Sequence, residues 1–295
     1  MLQSGYKKYM SLLAFVGPAF ILYFIFLMLP TLGGMYYSIT DWNGLNRDYE
    51  FIGFGNFVEA LREDPDFIKS LLFTMKYVIV MVVLQNVFAL FLAVLIESKM
   101  RSKGFFRTIF FMPNMISMII SAFIWTFVFT QVLPQLAQMT SLLSFLDQSW
   151  LGDPNISFFS IILVSLWNGV GYMMIIYLAG LQGVPQSLKE AAIIDGANPF
   201  QSFFHITLPM ITHAITICLF LTLNGAFKVF DTVYGLTGGG PGRSTQVITM
   251  NIYEEAFSNN FRYGYASAKS VILFVIILIF TFIQVSVMKK REVES

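Results

Sequence analysis

Residues 187–209 read SLKEAAIIDGANPFQSFFHITLP, a polar interval between two long apolar runs. Ser187 with Glu190 three residues on has capping-box spacing and predicts a short helix, and Gly196 supplies the left-handed residue that ends it. Asn198 predicts the N-cap of a second helix, with Pro199 where a missing N–H costs nothing. Phe200, Phe203, Phe204 and Thr207 then share one face, and Pro209 marks the break before the next apolar run. Helices this short are marginal in water without a packing surface. A segment resting on lipid carries a strongly basic polar face, whereas Lys189 here is offset by Glu190 and Asp195. Clustered Phe in a polar loop marks a contact site, so the stretch predicts an aromatic knob offered to a soluble subunit.

Outward from this interval, apolar runs long enough to cross a hydrocarbon core lie at about 12–33, 72–96, 108–130, 157–181, 210–232 and 267–288. With 56% apolar and only 12% charged residues in 295, the chain is not an ordinary soluble domain. The expectation is an all-α polytopic membrane protein of about six transmembrane helices, one domain over 1–295 with a cytoplasmic loop at 182–209. The first run follows Lys7 and Lys8 but is too long for a signal peptide and lacks a small-residue cleavage site, which predicts a retained anchor. With the N-terminus inside, the inside segments hold ten of the 18 basic residues (Lys7, Lys8, Lys99, Arg101, Lys103, Arg107, Lys189, Lys289, Lys290 and Arg291). They hold five of the 17 acidic ones (Glu97, Glu190, Asp195, Glu292 and Glu294). The basic residues set orientation, so both termini are expected in the cytoplasm. The net charge of +1 gives no reason to expect nucleic-acid binding.

Cys218, the only cysteine, falls inside the fifth run, where a packed thiol is expected. His205 and His213 are off the spacing of a zinc pair, and no metal is expected. Gln85 and Asn86 sit mid-span and must face other helices, because unpaired amides in lipid are costly. Lys69 and Lys76 can snorkel outward from the start of the second span. The outside segment 40–69, with Asp41-Trp42-Asn43-Gly44 and the acids Glu59, Glu63, Asp64 and Asp66, suggests an ordered cap. Met112-Pro113-Asn114 opens the third run, and its proline either initiates or kinks the helix, which makes Asn114 a candidate for a translocation path. Residues 131–156 form a second outside segment in which Trp150-Leu151-Gly152-Asp153-Pro154 is an interfacial turn.

In the fourth run, Trp167-Asn168-Gly169-Val170-Gly171-Tyr172 fits either close helix packing or substrate contact. In the fifth, Lys228 and Asp231 have the spacing of an ion pair. Leu236 to Thr245, LTGGGPGRST, superficially suggests a phosphate loop, but the lysine of that pattern is replaced by Arg243 and no strand precedes it. A mobile or binding-protein-facing turn is the expectation there. No nucleotide pattern or catalytic constellation occurs, so the chain alone is not expected to be an enzyme or to carry a cofactor.

Glu190-Ala191-Ala192, then Gly196, then Ile206, Leu208 and Pro209, resembles the EAA loop of binding-protein-dependent ABC importer permeases. Thr237-Gly238-Gly239-Gly240-Pro241 and Tyr253-Glu254-Glu255-Ala256-Phe257 before Gly264-Tyr265-Ala266 extend the likeness to carbohydrate permeases of the maltose-transporter type. The large extra outside domain of the enterobacterial maltose subunit is missing here. The resemblance implies that Glu190, Ala191, Ala192, Gly196, Phe200, Phe203 and Phe204 dock in a cleft of an ATPase subunit. It implies that Asn114, Met118, Asn168, Gly169, Tyr172, Thr222, Gly225, Ala226 and Val229 line a sugar site. It further implies a bacterial inner-membrane location beside lipid, a second related permease, a cytoplasmic ATPase dimer that binds the ATP, and an extracellular solute-binding protein. Two other readings stay open: a non-sugar importer in which Lys228 or Arg243 serves an anion such as a phosphate ester, and a self-sufficient secondary transporter.

Overall fold

The computed structural model describes residues 5–98, 102–258 and 261–290. Lys99, Arg101, Arg291, Glu292 and Glu294, counted above towards topology, lie outside the described residues, as do the side chains of Lys7 and Lys8. Among the described residues there is no strand, only an isolated bridge between Thr40 and Phe51. Among the described residues, five helices are long and apolar enough to cross a membrane: Met10–Tyr37, Pro65–Glu97, Met118–Met139, Pro154–Gln182 and Tyr263–Lys289. Pro199–Met210 and Thr212–Phe227, bent by 70° about Ile211, give a sixth candidate when the pair is taken as one broken span. In chain order these are the first to sixth spans, the bent pair being the fifth. The first is apolar all round and exposed, with Phe15 at 89% and Phe26 at 75%, as expected of a helix whose solvent is hydrocarbon.

The chain divides into two compact units. In the unit formed by 66–251 and 275–295, the core is the fourth span, where Ile161, Val164, Met174 and Tyr177 are fully buried. Asp153 caps its start, accepting from the backbone N–H groups of Asn155 and Ile156, with Pro154 in the first turn. Ala89, Ala93 and Ile96 of the second span pack there with Met173, Met174, Leu178, Ile211, Ala214 and the buried thiol of Cys218. Small residues at the contact let helix backbones approach in the absence of a hydrophobic drive between apolar helices in lipid. Gly180 shows it: a Cβ there would lie 2.7 Å from that of Ala214. Lys69 lies 4.0 Å from Asp66, while Lys76 sits 4.1 Å over the Phe158 ring.

Three sequence expectations are corrected. The third apolar run, expected as one helix over 108–130, is a helix Lys103–Phe111, a 3-10 turn Met112–Met115, two extended residues and then the span from Met118. Pro113 lacks an N–H and cannot continue the helical ladder, so the span starts later and extends to Met139, into the segment expected outside. The fifth run, expected to 232, ends at Phe227 and resumes as a short helix Asp231–Leu236. Lys228 and Asp231 therefore lack helical i, i+3 geometry and form no ion pair among the described residues. The Ser187–Glu190 capping box is absent too: the helix Gln186–Ile194 takes extended Pro185 as its N-cap, with no side-chain cap bond. Ser187 then lies inside the first turn, where its hydroxyl has no cap to make.

The glycine-rich segment after the fifth span is held by side-chain contacts. Thr237 and Thr245 hydroxyls meet at 2.8 Å, Thr245 donates to the Gly240 carbonyl at 2.6 Å, and Arg243 pairs with Asp66 at 2.7 Å. Gly238, Gly239 and Gly242 hold φ of 56°, 84° and 55°, a region that glycine enters at no steric cost.

The other unit comprises 1–65 and 252–274 and contains the expected ordered cap. Asn56 donates to the carbonyls of Ser38 and Thr40 at 3.0 and 2.8 Å, and Trp42 stacks on Tyr37 with ring centres 4.0 Å apart. Gly264 is pressed so close that a Cβ would lie 2.2 Å from the Thr40 carbonyl oxygen. Arg262 makes a bidentate pair with Glu59, both bonds 2.7 Å, and these hydrogen bonds raise the guanidinium pKa above its ordinary value. Lys269, fully buried at the start of the sixth span, lies 2.8 Å from Asp64 and 3.3 Å from Glu255.

Candidate functional site

All nine residues that the resemblance implies for a sugar site line one cavity of about 270 Å³. They come from both sides of the break in the third span (Asn114, Met118), from the fourth (Asn168, Gly169, Tyr172) and from the fifth (Thr222, Gly225, Ala226, Val229). The two helix breaks, at Met112–Ser117 and Lys228–Phe230, both open on it. Interrupted backbone at membrane depth is tolerated where it is buried in protein or lines a cavity.

Buried polar pairs tie the spans around this space. Tyr77 of the second span donates to Ser165 of the fourth at 2.8 Å. Tyr177 of the fourth donates to the Asn86 carbonyl oxygen at 2.7 Å, and the Asn86 amide reaches Thr222 of the fifth at 3.3 Å. The Asn168 amide donates to the carbonyls of Pro113 and Ile116 at 3.0 and 3.4 Å and to the Ser121 hydroxyl at 3.4 Å. Its N–H groups are therefore spent on carbonyls released by the proline break. The two glycines of WNGVGY differ in role. At Gly171 a Cβ would meet the Phe110 carbonyl oxygen at 1.9 Å, so the Lys103–Phe111 helix crosses there; at Gly169 it would meet the Gln85 amide nitrogen at 2.6 Å. The motif divides by residue: Gly171 serves helix packing, while Gly169 and Tyr172 stand in the cavity wall.

Six polar residues of the cavity wall, Tyr77, Gln85, Ser165, Lys228, Asp231 and Thr232, were not among the expected site residues. Of these, Gln85 was assigned only to helix packing, and Lys228 and Asp231 to each other, with Lys228 also offered to an anion in the non-sugar reading. A mid-span amide and a charge pair straddling a possible helix end were the available signals, and neither specifies which way the side chains turn.

The 182–209 loop is a second candidate site. Gly196 at φ +80° ends the helix Gln186–Ile194, with Gly196 N–H on the Ile193 carbonyl and Ala197 N–H on that of Ala192, the paired bonds of a Schellman motif. Asn198 and Gln201 then form a reciprocal capping box with Pro199 in the first turn. Ala192 is buried, while Glu190, Ala191 and Gly196 face outward. Ile194 and Phe200 are 85% and 76% exposed. Phe200 stacks on Phe204 at 6.0 Å and Phe203 meets Phe204 edge-on at 5.2 Å. The three rings line an apolar groove of about 1000 Å³ with Val87, Phe91 and Val94 of the second span.

Known proteins share this architecture and its sequence. The chain is 41% identical over 280 residues, 95% of its length and 94% of the relative's, to the probable starch degradation products transport system permease protein of Thermoanaerobacterium thermosulfurigenes. It is 36% identical over 92% of its length and 93% of the relative's to the multiple sugar-binding transport system permease protein of Streptococcus mutans. A bacterial alginate ABC transporter, solved in complex with alginate pentasaccharide-bound periplasmic protein, superposes with a TM-score of 0.79 at 26% identity, over 94% of this chain and 93% of that one. Residues 85–293 match the family described as binding-protein-dependent transport system inner membrane component. That interval carries the broken third span, the cavity-lining fourth and fifth spans and the EAA loop, and the chain belongs to this family of multi-pass membrane permeases.

Proposed function

We propose that this permease passes a mono- or oligosaccharide through the 270 Å³ cavity, driven by ATP that a separate subunit hydrolyses. The observation that carries the reading is the convergence of nine residues from three spans on one cavity with amide, hydroxyl and phenol groups in its wall. Sugar hydroxyls pair with such groups and sugar rings lie against aromatic faces. The relatives named for starch degradation products and for multiple sugars support the cargo class.

The loop at 182–209 is the coupling element, and its exposed Ile194 and Phe200 need a partner surface. That partner is a cytoplasmic ABC ATPase dimer, which places the loop and both termini inside. A second related permease completes the path, and an extracellular solute-binding protein delivers the cargo, as the complex solved for the alginate transporter supports. Closure of the ATPases would push on the knob and rock the spans about their breaks.

Reconstitution tests the whole reading. Alone in liposomes, the chain is expected neither to accumulate sugar under a proton or sodium gradient nor to hydrolyse ATP. With the second permease, the ATPase and the binding protein added, both ATP hydrolysis and uptake are expected. Gradient-driven accumulation by the lone chain would overturn the proposal in favour of a secondary transporter.

A further inference from the structure

Gln85 lines the cavity, is 7% exposed and makes no side-chain hydrogen bond among the described residues. Its neighbour Asn86 is the opposite case, with both ends of its amide engaged across helices. A buried amide carries two N–H donors and a carbonyl acceptor, and leaving them unpaired away from water is unfavourable. In the wall of a cavity, such a group is satisfied by whatever occupies the space. Gly169 supports its placement, since a Cβ at that position would lie 2.6 Å from the Gln85 amide nitrogen; the fourth span thins where the amide rests.

Lys228 and Asp231 line the same cavity from the break in the fifth span. Both are exposed and neither side chain has an ion-pair or hydrogen-bond partner among the described residues. The wall thus offers one cation, one anion and an amide that both donates and accepts. A cargo carrying several negative charges would gain at Lys228 and lose at Asp231. One carrying many hydroxyls, each donor and acceptor at once, suits all three groups.

We infer that Gln85, with Lys228 and Asp231, sets the specificity of this cavity for an uncharged polyhydroxyl ligand, and that Gly169 acts there by positioning the Gln85 amide. This rests on the sugar reading above. It adds a contact from the second span, which supplied none of the expected site residues, and excludes polyanionic saccharides from the preferred cargo.

The test uses the complete complex with its ATPase and binding protein, trapped with ATP and vanadate. The probes are labelled maltotriose, raffinose and xylotriose as neutral sugars, and trigalacturonate as the anion. Wild type is expected to bind at least one neutral probe and to prefer it to trigalacturonate. Gln85→Met keeps the side-chain length and removes the amide; it is expected to raise the Kd for that probe about tenfold, the worth of one neutral hydrogen bond at about 1.4 kcal/mol per factor of ten. Sugar moved per ATP in proteoliposomes should fall. Gly169→Ala should reproduce the effect, and the double variant should be no worse than Gln85→Met, because both act on one amide. Additive losses would make Gly169 a packing residue and overturn its assigned role; if Gln85→Met assembles poorly, Gly169→Ala alone carries the test, and its binding the neutral probe as tightly as wild type would overturn the inference. Asp231→Asn should lower the preference for the neutral probe about tenfold. If wild type binds none of the four probes, the sugar reading itself fails. If wild type binds a neutral sugar and Gln85→Met binds it equally well, the sugar reading stands and this inference is wrong; a preference of wild type for trigalacturonate overturns the neutral class.

Discussion

Asn168 on the fourth span donates its amide to the Pro113 carbonyl oxygen 3.0 Å away, on the far side of a break that the proline itself creates. One asparagine thereby stabilises the interrupted backbone whose next residue, Asn114, faces the cavity. Removing it takes a donor from both the Pro113 and Ile116 carbonyls; Pro113 still accepts from the Ile116 N–H at 3.1 Å, so the loss is expected at the lower end of the roughly 1–3 kcal/mol that an unsatisfied buried group costs. Asn168→Ala is expected to lower the unfolding midpoint of the detergent-solubilised complex as well as uptake. An unchanged midpoint with weaker sugar binding alone would show that Asn168 serves the cargo and not the break.

Glycines in this site separate by what surrounds them. Gly171→Ala drives a Cβ to within 1.9 Å of the Phe110 carbonyl oxygen, so the Lys103–Phe111 helix must move off the fourth span. Overpacking of this kind costs about 1–3 kcal/mol or more, and the yield of folded permease should drop. At Gly225 a Cβ meets nothing within 4 Å and would project into open space at the cavity wall; Gly225→Ala should fold normally, and its effect should appear in uptake. Parallel size-exclusion profiles and transport assays distinguish the two, and equal behaviour would contradict the packing described.

Much of this was legible because several signals are local. Gly196 after EAAIID and Asn198 before Pro199 specify their caps within a few residues, and the structure has both. Ser187 failed as a cap because Pro185, two positions earlier, already holds the extended conformation that an N-cap needs. Span existence followed from apolar length, but the third and fifth spans were drawn through breaks, since hydropathy does not register a change of backbone path among apolar residues. Pro113 announced its break; nothing local announces that of Lys228-Val229-Phe230. Lys269 escaped notice because its partners, Asp64 and Glu255, are remote in sequence, and only the fold brings them within 3.3 Å. For the candidate site, the resemblance supplied the nine positions and the structure placed them on one cavity. Whether Gln85 faces that space or a neighbouring helix depends on rotation of the span, which a helix with little amphipathic pattern does not encode.

The exposed face of the 182–209 loop, proposed above as the coupling element, gives a prediction opposite in kind. Ile194 and Phe200 are 85% and 76% exposed and contribute little to the fold of the chain itself. Ile194→Asp and Phe200→Asp should leave the unfolding midpoint of the isolated permease within about 0.5 kcal/mol of wild type, as substitutions at exposed positions do. Co-purification of the ATPase should fall at least tenfold, because a charge is placed in a desolvated contact. Normal ATPase recovery with both variants would move the docking surface elsewhere.

Lys269 provides the most stringent stability test. Its ammonium group is fully buried between Asp64 and Glu255, at 2.8 and 3.3 Å, and lies 4.3 Å from the centre of the Tyr265 ring. Tyr265 donates to Asp64 at 2.9 Å, and Arg262 approaches Glu255 at 3.7 Å, so the acids keep some support without the lysine. Lys269→Met preserves the aliphatic stem but strands two carboxylates, and breaking a buried pair by deleting one partner costs about 3–5 kcal/mol. Arg262 remains as a cation beside Glu255, which places the expected loss at the lower end of that range. Adding Asp64→Asn removes the carboxylate with the shorter contact and still accepts from Tyr265, so the double variant should recover a large part of the lost stability. Thermal unfolding of wild type, both single variants and the double variant measures the coupling directly. Strictly additive losses would mean that Lys269 and Asp64 do not sense each other in the folded protein, and the buried network described for this unit would be wrong.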